Sequence, residues 1–106
     1  MDLHKNNNEA IGNYAIYEIL IHGKTYKIGK ADMDRITKLS GNPTRIHQQI
    51  RKLSLKYSEK NVFFRYIKIT LGIRTKEAKA LEQYFLSQFV SETGLIPEGN
   101  QKSFKP

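Results

Sequence analysis

The chain has 106 residues, enough for one small domain with a single hydrophobic core. Its 18 lysines and arginines outnumber 10 acidic residues and give a formal charge of +8, so the surface attracts polyanions, nucleic acid above all. The absence of cysteine excludes a disulfide framework and thiol catalysis, and no apolar run is long enough to serve as a membrane anchor.

The N-terminal part of the chain predicts a lead-in and a β-hairpin. Residues 1–12 are largely polar and do not form a signal peptide, so we expect a flexible lead-in followed by one domain over residues 13–106. Aromatic and β-branched residues over 14–21 predict a strand, and residues 25–29 predict its hairpin partner. Residues 30–42 are expected to form a loop.

The remaining elements alternate between helix and strand. Pro43 suits the first turn of a helix that runs to about Tyr57. Residues 61–71 predict a third strand, and a turn at 72–75 leads into a second helix that ends near Gly94. The order β-β-α-β-α predicts an α+β domain in which helices flank a small three-stranded antiparallel sheet.

One carboxylate, Glu82, interrupts the apolar face of the second helix. At about 100° per residue, that face comprises Ala78, Leu81, Phe85, Leu86 and Phe89. Burying an ionised carboxylate is costly unless a cation pairs with it or coordinates it. We therefore expect Glu82 to have a partner, to be neutral or to reach an edge. It could hold a divalent metal against a polyanion, or form a buried ion pair with Arg45 or Lys27 without a metal.

The first helix also has two faces. Its apolar stripe consists of Ile46, Ile50, Leu53 and Tyr57. A polar and mostly basic stripe at i, i+4, i+7 and i+11 consists of Arg45, Gln49, Lys52 and Lys56. Such a stripe suits contacts with successive phosphates, although a solvated lysine face has the same pattern.

Several short motifs together resemble one nuclease family. Ala15-Ile-Tyr17 on the first strand and Tyr26-Lys-Ile-Gly29 on the second resemble the paired motifs of the GIY-YIG nuclease superfamily. An arginine-bearing helix, Glu82 and the late Asn100 follow in the family's order. The resemblance covers residues 14–100, and the motifs gain specificity from their joint order on the expected elements.

The chain departs from the family pattern in its strands and in the position of its arginine. Ala15 replaces the first glycine, and Lys27 replaces the tyrosine of the second motif, with Tyr26 one place earlier. Because neighbours on a strand point to opposite faces, we expect Lys27 in the catalytic position. Arg45 is favoured as the catalytic arginine because it begins a regular amphipathic helix, and Arg35 is the alternative.

The resemblance implies a metal-dependent endonuclease that hydrolyses phosphodiester bonds. In this prediction Glu82 binds one Mg²⁺ (or Mn²⁺), and Tyr17, assisted by Lys27, is the general base toward water, provided that its pKa is lowered. Arg45 binds the scissile phosphate, and Asn100 holds the site together by hydrogen bonds to backbone or to the Tyr17 region. The residues expected to contact nucleic acid are Lys30, Arg35, Gln49, Lys52 and Lys56.

The resemblance also suggests a biological setting. The segment from Gly29 to Arg51 and the ending from Pro97 look most like the C-terminal toxin domains of large secreted bacterial proteins, including those of contact-dependent growth inhibition. This likeness implies a toxin domain that acts in the target-cell cytoplasm and is bound and inhibited by an acidic immunity protein. We expect the domain to be a monomer. DNA is slightly favoured as the substrate, and structured RNA such as tRNA is the other candidate.

A non-catalytic alternative stays open at this point. Each motif residue also has an ordinary structural interpretation: Tyr17 as a half-buried strand tyrosine, Lys27 as a solvent-facing lysine, Asn100 as a turn residue. A basic nucleic-acid-binding module would use the same face with stacking aromatics such as Phe64 and Tyr66. Its binding would depend on salt and be indifferent to Glu82.

Overall fold

The fold is known from a computed structural model that describes residues 8–104. The elements are β1 (Ile11–Ile21), β2 (Lys24–Asp32), α1 (Thr44–Tyr57), β3 (Val62–Arg74) and α2 (Thr75–Thr93), with short 3₁₀ helices at Glu59–Asn61 and Glu98–Asn100. The predicted class, a small α+β domain with a three-stranded antiparallel sheet and two helices, is confirmed. No helix in the described range is long and apolar enough to cross a membrane.

The central strand β1 separates two hydrophobic clusters. The strand order is β2-β1-β3, so both faces of β1 are available for packing. One cluster consists of Tyr17, Ile19, Ile21, Ala31, Val62 and the α1 residues Ile46 and Leu53. The other consists of Ile16, Ile28 and Leu86, with Leu81, Phe85, Phe89 and Phe104 packed against it. Because successive side chains of a strand point to opposite faces, α1 and α2 cover opposite sides of the sheet.

The apolar stripes of both helices pack as predicted. In α1, Ile46 and Leu53 are buried, and Ile50 and Tyr57 pack against the same cluster. In α2, Ala78 and Leu86 are buried.

The first two strands are longer than the sequence predicts. β1 begins at Ile11, so residues 8–12 of the expected lead-in belong to the fold, and the Thr75 amide donates to the Ala10 carbonyl oxygen at 2.9 Å. Residues 1–7 of that lead-in lie outside the described residues. β2 continues into the first three residues of the expected loop and ends at Asp32, because its backbone stays paired with β1. Backbone pairing of this kind leaves little trace in side-chain pattern.

The turn predicted at residues 72–75 is wrong, because β3 runs through Gly72 to Arg74. Gly72 has a φ of 67°, and its amide donates to Asn13 Oδ1 at 3.0 Å. The β1–β3 register shifts between Gly12 and Tyr14, opposite this point. The glycine therefore accommodates an irregularity within the strand, after which α2 begins directly at Thr75.

The packing of Tyr17 over Gly29 fixes the junction between β1 and β2. These two residues are direct partners in the antiparallel ladder, and Tyr17 is fully buried. A Cβ atom added to Gly29 would lie 2.5 Å from Tyr17 Oη and 2.6 Å from Tyr17 Cζ. Only glycine therefore permits the tyrosine ring to cross β2 at this position.

We predict that Gly29→Ala destabilises the fold by about 1–3 kcal/mol, because the added methyl group overpacks a rigid contact. Urea unfolding would measure the loss. In a Tyr17→Ala background the same substitution is expected to cost little, since the ring that it meets is gone. Equal costs in the two backgrounds would contradict this account of Gly29.

Candidate active site

The candidate site lies at the free edge of β2, and Asn100 closes that edge. Asn100 Nδ2 donates to the Ile28 carbonyl oxygen at 2.8 Å, and Asn100 Oδ1 accepts from the Ile28 amide at 2.8 Å. The side chain is 1% exposed, so it satisfies both backbone groups away from water. Asn100 therefore bonds to backbone, which is one of the two kinds of partner that the sequence suggested. The residue it bonds to, Ile28, lies between Lys27 and Gly29 on β2.

Glu82 reaches the same edge from α2. The Lys30 backbone amide donates a hydrogen bond to its carboxylate. Burial raises the pKa of the Glu82 carboxyl, although the charges of Lys30, Lys27 and Arg45 act in the opposite direction. Its desolvation is therefore only partly offset by three cationic neighbours.

Lys27 and Lys30 approach Glu82 from opposite faces of β2. Lys27 is paired with Ile19 on the α1 side, whereas Lys30 is paired with Ile16 on the α2 side. Burial lowers the pKa of both amines, and the charge of Arg45 lowers it further, while Glu82 opposes the shift. Both lysines therefore release their protons more readily than a lysine in water does.

Tyr17 lies under the site as a buried hydrogen-bond donor. Its hydroxyl donates to Gln49 Oε1 at 2.6 Å. Burial raises the pKa of the phenol, and the nearby Arg45 charge only partly counteracts this effect. The lowered pKa that a general base requires is therefore not found at Tyr17. Its geometry is that of a neutral group that orients Gln49.

Arg45 is the arginine whose charge reaches the site. It is exposed in the first turn of α1, and its charge acts on the pKa of Tyr17, Lys27, Lys30 and Glu82. Arg35 lies in a polar groove beside it. This groove is lined by Tyr14, Lys30, Asp32, Arg35, Thr44, Arg45 and Gln48.

The other residues of the predicted basic stripe have separate surroundings. Gln49 is half-buried and turned toward Tyr17, so it belongs to the site and not to an outer surface. Lys52 is exposed at the rim of a second pocket that also contacts Lys27 and Gln49. Lys56 is exposed further along α1, with Nζ 5.1 Å from the centroid of the Tyr57 ring.

Asp32 is a groove residue that the sequence analysis missed. Its Oδ1 accepts from the Asp34 amide at 2.9 Å, and its Oδ2 is buried without a hydrogen-bond partner among residues 8–104. In a strand that continues to residue 32, the period-two pattern places Asp32 on the same face as Lys30. Because the sequence predicts a strand that ends at Gly29, it does not place Asp32 beside Lys30.

The donor set at Glu82 fits a metal ion that keeps most of its own water. Over residues 8–104, no three His, Cys, Asp or Glu side chains are grouped so that they could hold a metal. Mg²⁺ commonly binds through one or two carboxylates plus water and substrate phosphate, so one carboxylate suffices. Direct coordination by a divalent cation would replace part of the hydration that the Glu82 carboxylate loses on burial.

Comparisons with known proteins give no assignment for this site. No protein-family model matches the chain, and searches of curated proteins and of solved structures find no match.

We predict that Glu82→Gln raises the melting temperature at neutral pH without added metal, because burial makes the ionised carboxylate costly in the fold. A carboxyl with a raised pKa in the fold gives stability at low pH that is lost as pH rises through that pKa. The advantage of Glu82→Gln should therefore shrink as pH falls through the titration of Glu82.

Calorimetry across pH would test this, with Glu92→Gln, an exposed position on the same helix, as the matched control. Added Mg²⁺ should stabilise the unmodified chain and not the Glu82→Gln variant. A variant less stable than the unmodified chain at every pH would contradict the predicted cost of the charge.

Proposed function

We propose that this domain is a metal-dependent endonuclease of the GIY-YIG type that hydrolyses phosphodiester bonds of nucleic acid. The observation that carries the proposal is the desolvated Glu82 carboxylate at a strand edge, surrounded by Lys27, Lys30 and Arg45. Three cations suit a polyanionic substrate, and a single carboxylate among them suits a bridging divalent ion. The order of the sequence motifs supports the same assignment.

In this proposal Arg45 binds the scissile phosphate. Its guanidinium is exposed next to the polar groove, so it can contact two phosphoryl oxygens in a planar fork. Lys30 adds positive charge from the other face of β2. A bound Mg²⁺ or Mn²⁺ on Glu82 would polarise the phosphate and stabilise the leaving oxygen.

We assign the general base to Lys27 rather than to Tyr17. The lowered pKa of Lys27 makes its neutral amine easier to form than that of a lysine in water, whereas Tyr17 is buried with a raised pKa. The water oxygen bonds to phosphorus as its proton passes to Lys27 Nζ. The P–O bond to the leaving group then breaks, and the leaving oxygen takes a proton from solvent. Tyr17 and Gln49 hold the floor of the site through their hydrogen bond.

Cleavage of supercoiled DNA and of total tRNA, each with Mg²⁺ and with EDTA, would test the proposal. We expect metal-dependent cutting that Glu82→Ala reduces by about 100-fold or more, since removing one stabilising group of the transition state has effects of this order. Glu92→Ala is the matched control on the same helix. Arg45→Ala should lose more activity than Arg35→Ala.

A substitution at Lys27 separates its role as a base from its role as a charge. Lys27→Arg keeps the positive charge but stays protonated, so cleavage should fall by about 100-fold while substrate binding is retained. In the unmodified chain the rate should rise with pH until the lowered pKa of Lys27 is passed. The same pH profile in Lys27→Arg would assign the proton transfer to another group.

The same experiments separate the nuclease from a binding module. If neither nucleic acid is cut while the unmodified chain and Glu82→Ala bind both with equal, salt-sensitive affinity, the domain binds without catalysis. If only one is cut, the result decides between DNA, which the resemblance slightly favours, and structured RNA.

We further propose that the domain is a toxin effector of bacterial origin, acting in the target-cell cytoplasm and neutralised by an acidic immunity protein. The support is the toxin-like ending of the sequence together with the clustered charge of Lys27, Lys30 and Arg45. Addition of the product of an adjacent gene with a negative net charge should abolish cleavage. An inhibitor that works equally well at high salt would contradict recognition through this charge.

A further inference from the structure

A second pocket opens on the α1 side of the site and differs in character from the polar groove. It is lined by Ile19, Tyr26, Lys27, Gln49, Lys52, Leu53 and Gly99. Ile19 and Leu53 are core residues at 0% and 9% exposure, so the floor is aliphatic. Lys27 and Gln49 join the pocket to the candidate site, and Lys52 stands exposed at its rim.

The wall of this pocket is held in place by the C-terminal segment. A Cβ atom added to Gly99 would lie 2.9 Å from Tyr26 Cε1 and 3.0 Å from Lys27 Cβ. The glycine thus packs directly against the tyrosine ring, and the adjacent Asn100 is fixed on Ile28 by two hydrogen bonds. The ring of Tyr26, itself half-buried and packed against the α1-side cluster, is therefore a preformed surface.

We propose that this pocket receives the unstacked base of the nucleotide next to the scissile phosphate. An aromatic ring over an aliphatic floor suits a flat heterocycle, and the exposed Lys52 suits the phosphate attached to it. Arg45 and the polar groove, which has no aliphatic lining, take the sugar–phosphate chain on the other side. The inference rests on the proposed nuclease function and specifies its substrate class.

A base can enter the pocket only when it has left its stack. Extruding a base from a duplex costs free energy, and that cost is small in single strands and loops. The preferred substrates are therefore single-stranded DNA, or RNA loops and single strands, rather than uninterrupted duplex.

Binding of uridine 5′-phosphate and ribose 5-phosphate, followed by NMR on the unmodified chain, tests the pocket without any catalysis. Uridine 5′-phosphate, which carries a base, should bind at least fivefold more tightly than ribose 5-phosphate, which carries none. It should also shift the amide signals of Leu53 and Gly99. Tyr26→Leu should remove this advantage. Tyr57→Leu, a second half-buried tyrosine outside the pocket, should retain it.

A second experiment compares the cleavage rates of four oligonucleotides of one sequence. They are the single-stranded and duplex forms of DNA and the single-stranded and duplex forms of RNA. The single-stranded form should be cut at least tenfold faster, and the faster of the two single strands identifies the source of the base. Equal affinity for the two small phosphates, or equal cleavage of single strand and duplex, would overturn the base pocket while leaving a nuclease. A base-dependent affinity without any cleavage would retain the pocket and reject the nuclease.

Discussion

The free edge of β2 is the constraint on which the site depends. An edge strand exposes backbone amides and carbonyls, and each buried group must find a partner. Here Asn100 satisfies both groups of Ile28, and Glu82 accepts from the Lys30 amide. Two side chains from the last third of the chain therefore replace a neighbouring strand. The backbone groups that they bond belong to Ile28 and Lys30, on either side of Gly29. These bonds therefore also fix the positions of Lys27 and Lys30.

The same arrangement explains why a carboxylate interrupts the apolar face of α2. Glu82 lies where that face meets the edge, so its charge sits among Lys27, Lys30 and Arg45 without being fully solvated. Burial outweighs these cations in its effect on the pKa, and the folded chain therefore carries an electrostatic cost there. Such a cost is common at functional sites, where a ligand supplies the missing compensation.

Tyr17 on β1 and Lys27 on β2 differ in burial and in the direction of their pKa shifts. Tyr17 is fully buried, and Gly29 lets its ring cross β2 to reach Gln49 on α1. Lys27 stays half-exposed, with a pKa lowered by burial and by Arg45. Lys27 therefore occupies a position where an amine loses its proton more readily than in water. In the proposed reaction this difference transfers the role of base from the tyrosine to the lysine.

Periodicity in the sequence was sufficient to predict the element order, the fold class and the apolar faces of both helices, because these depend on local alternation of apolar side chains. It also singled out Glu82 as a carboxylate in need of a partner. The ends of the strands were missed, and with them Asp32, because backbone pairing extends strands regardless of side-chain pattern. The partners of Asn100, the inward turn of Gln49 and the pocket beside Tyr26 were decided only by the tertiary structure. Each of these depends on the distance between residues far apart in the chain, and that distance is set by how the two helices and the C-terminal segment pack on one sheet.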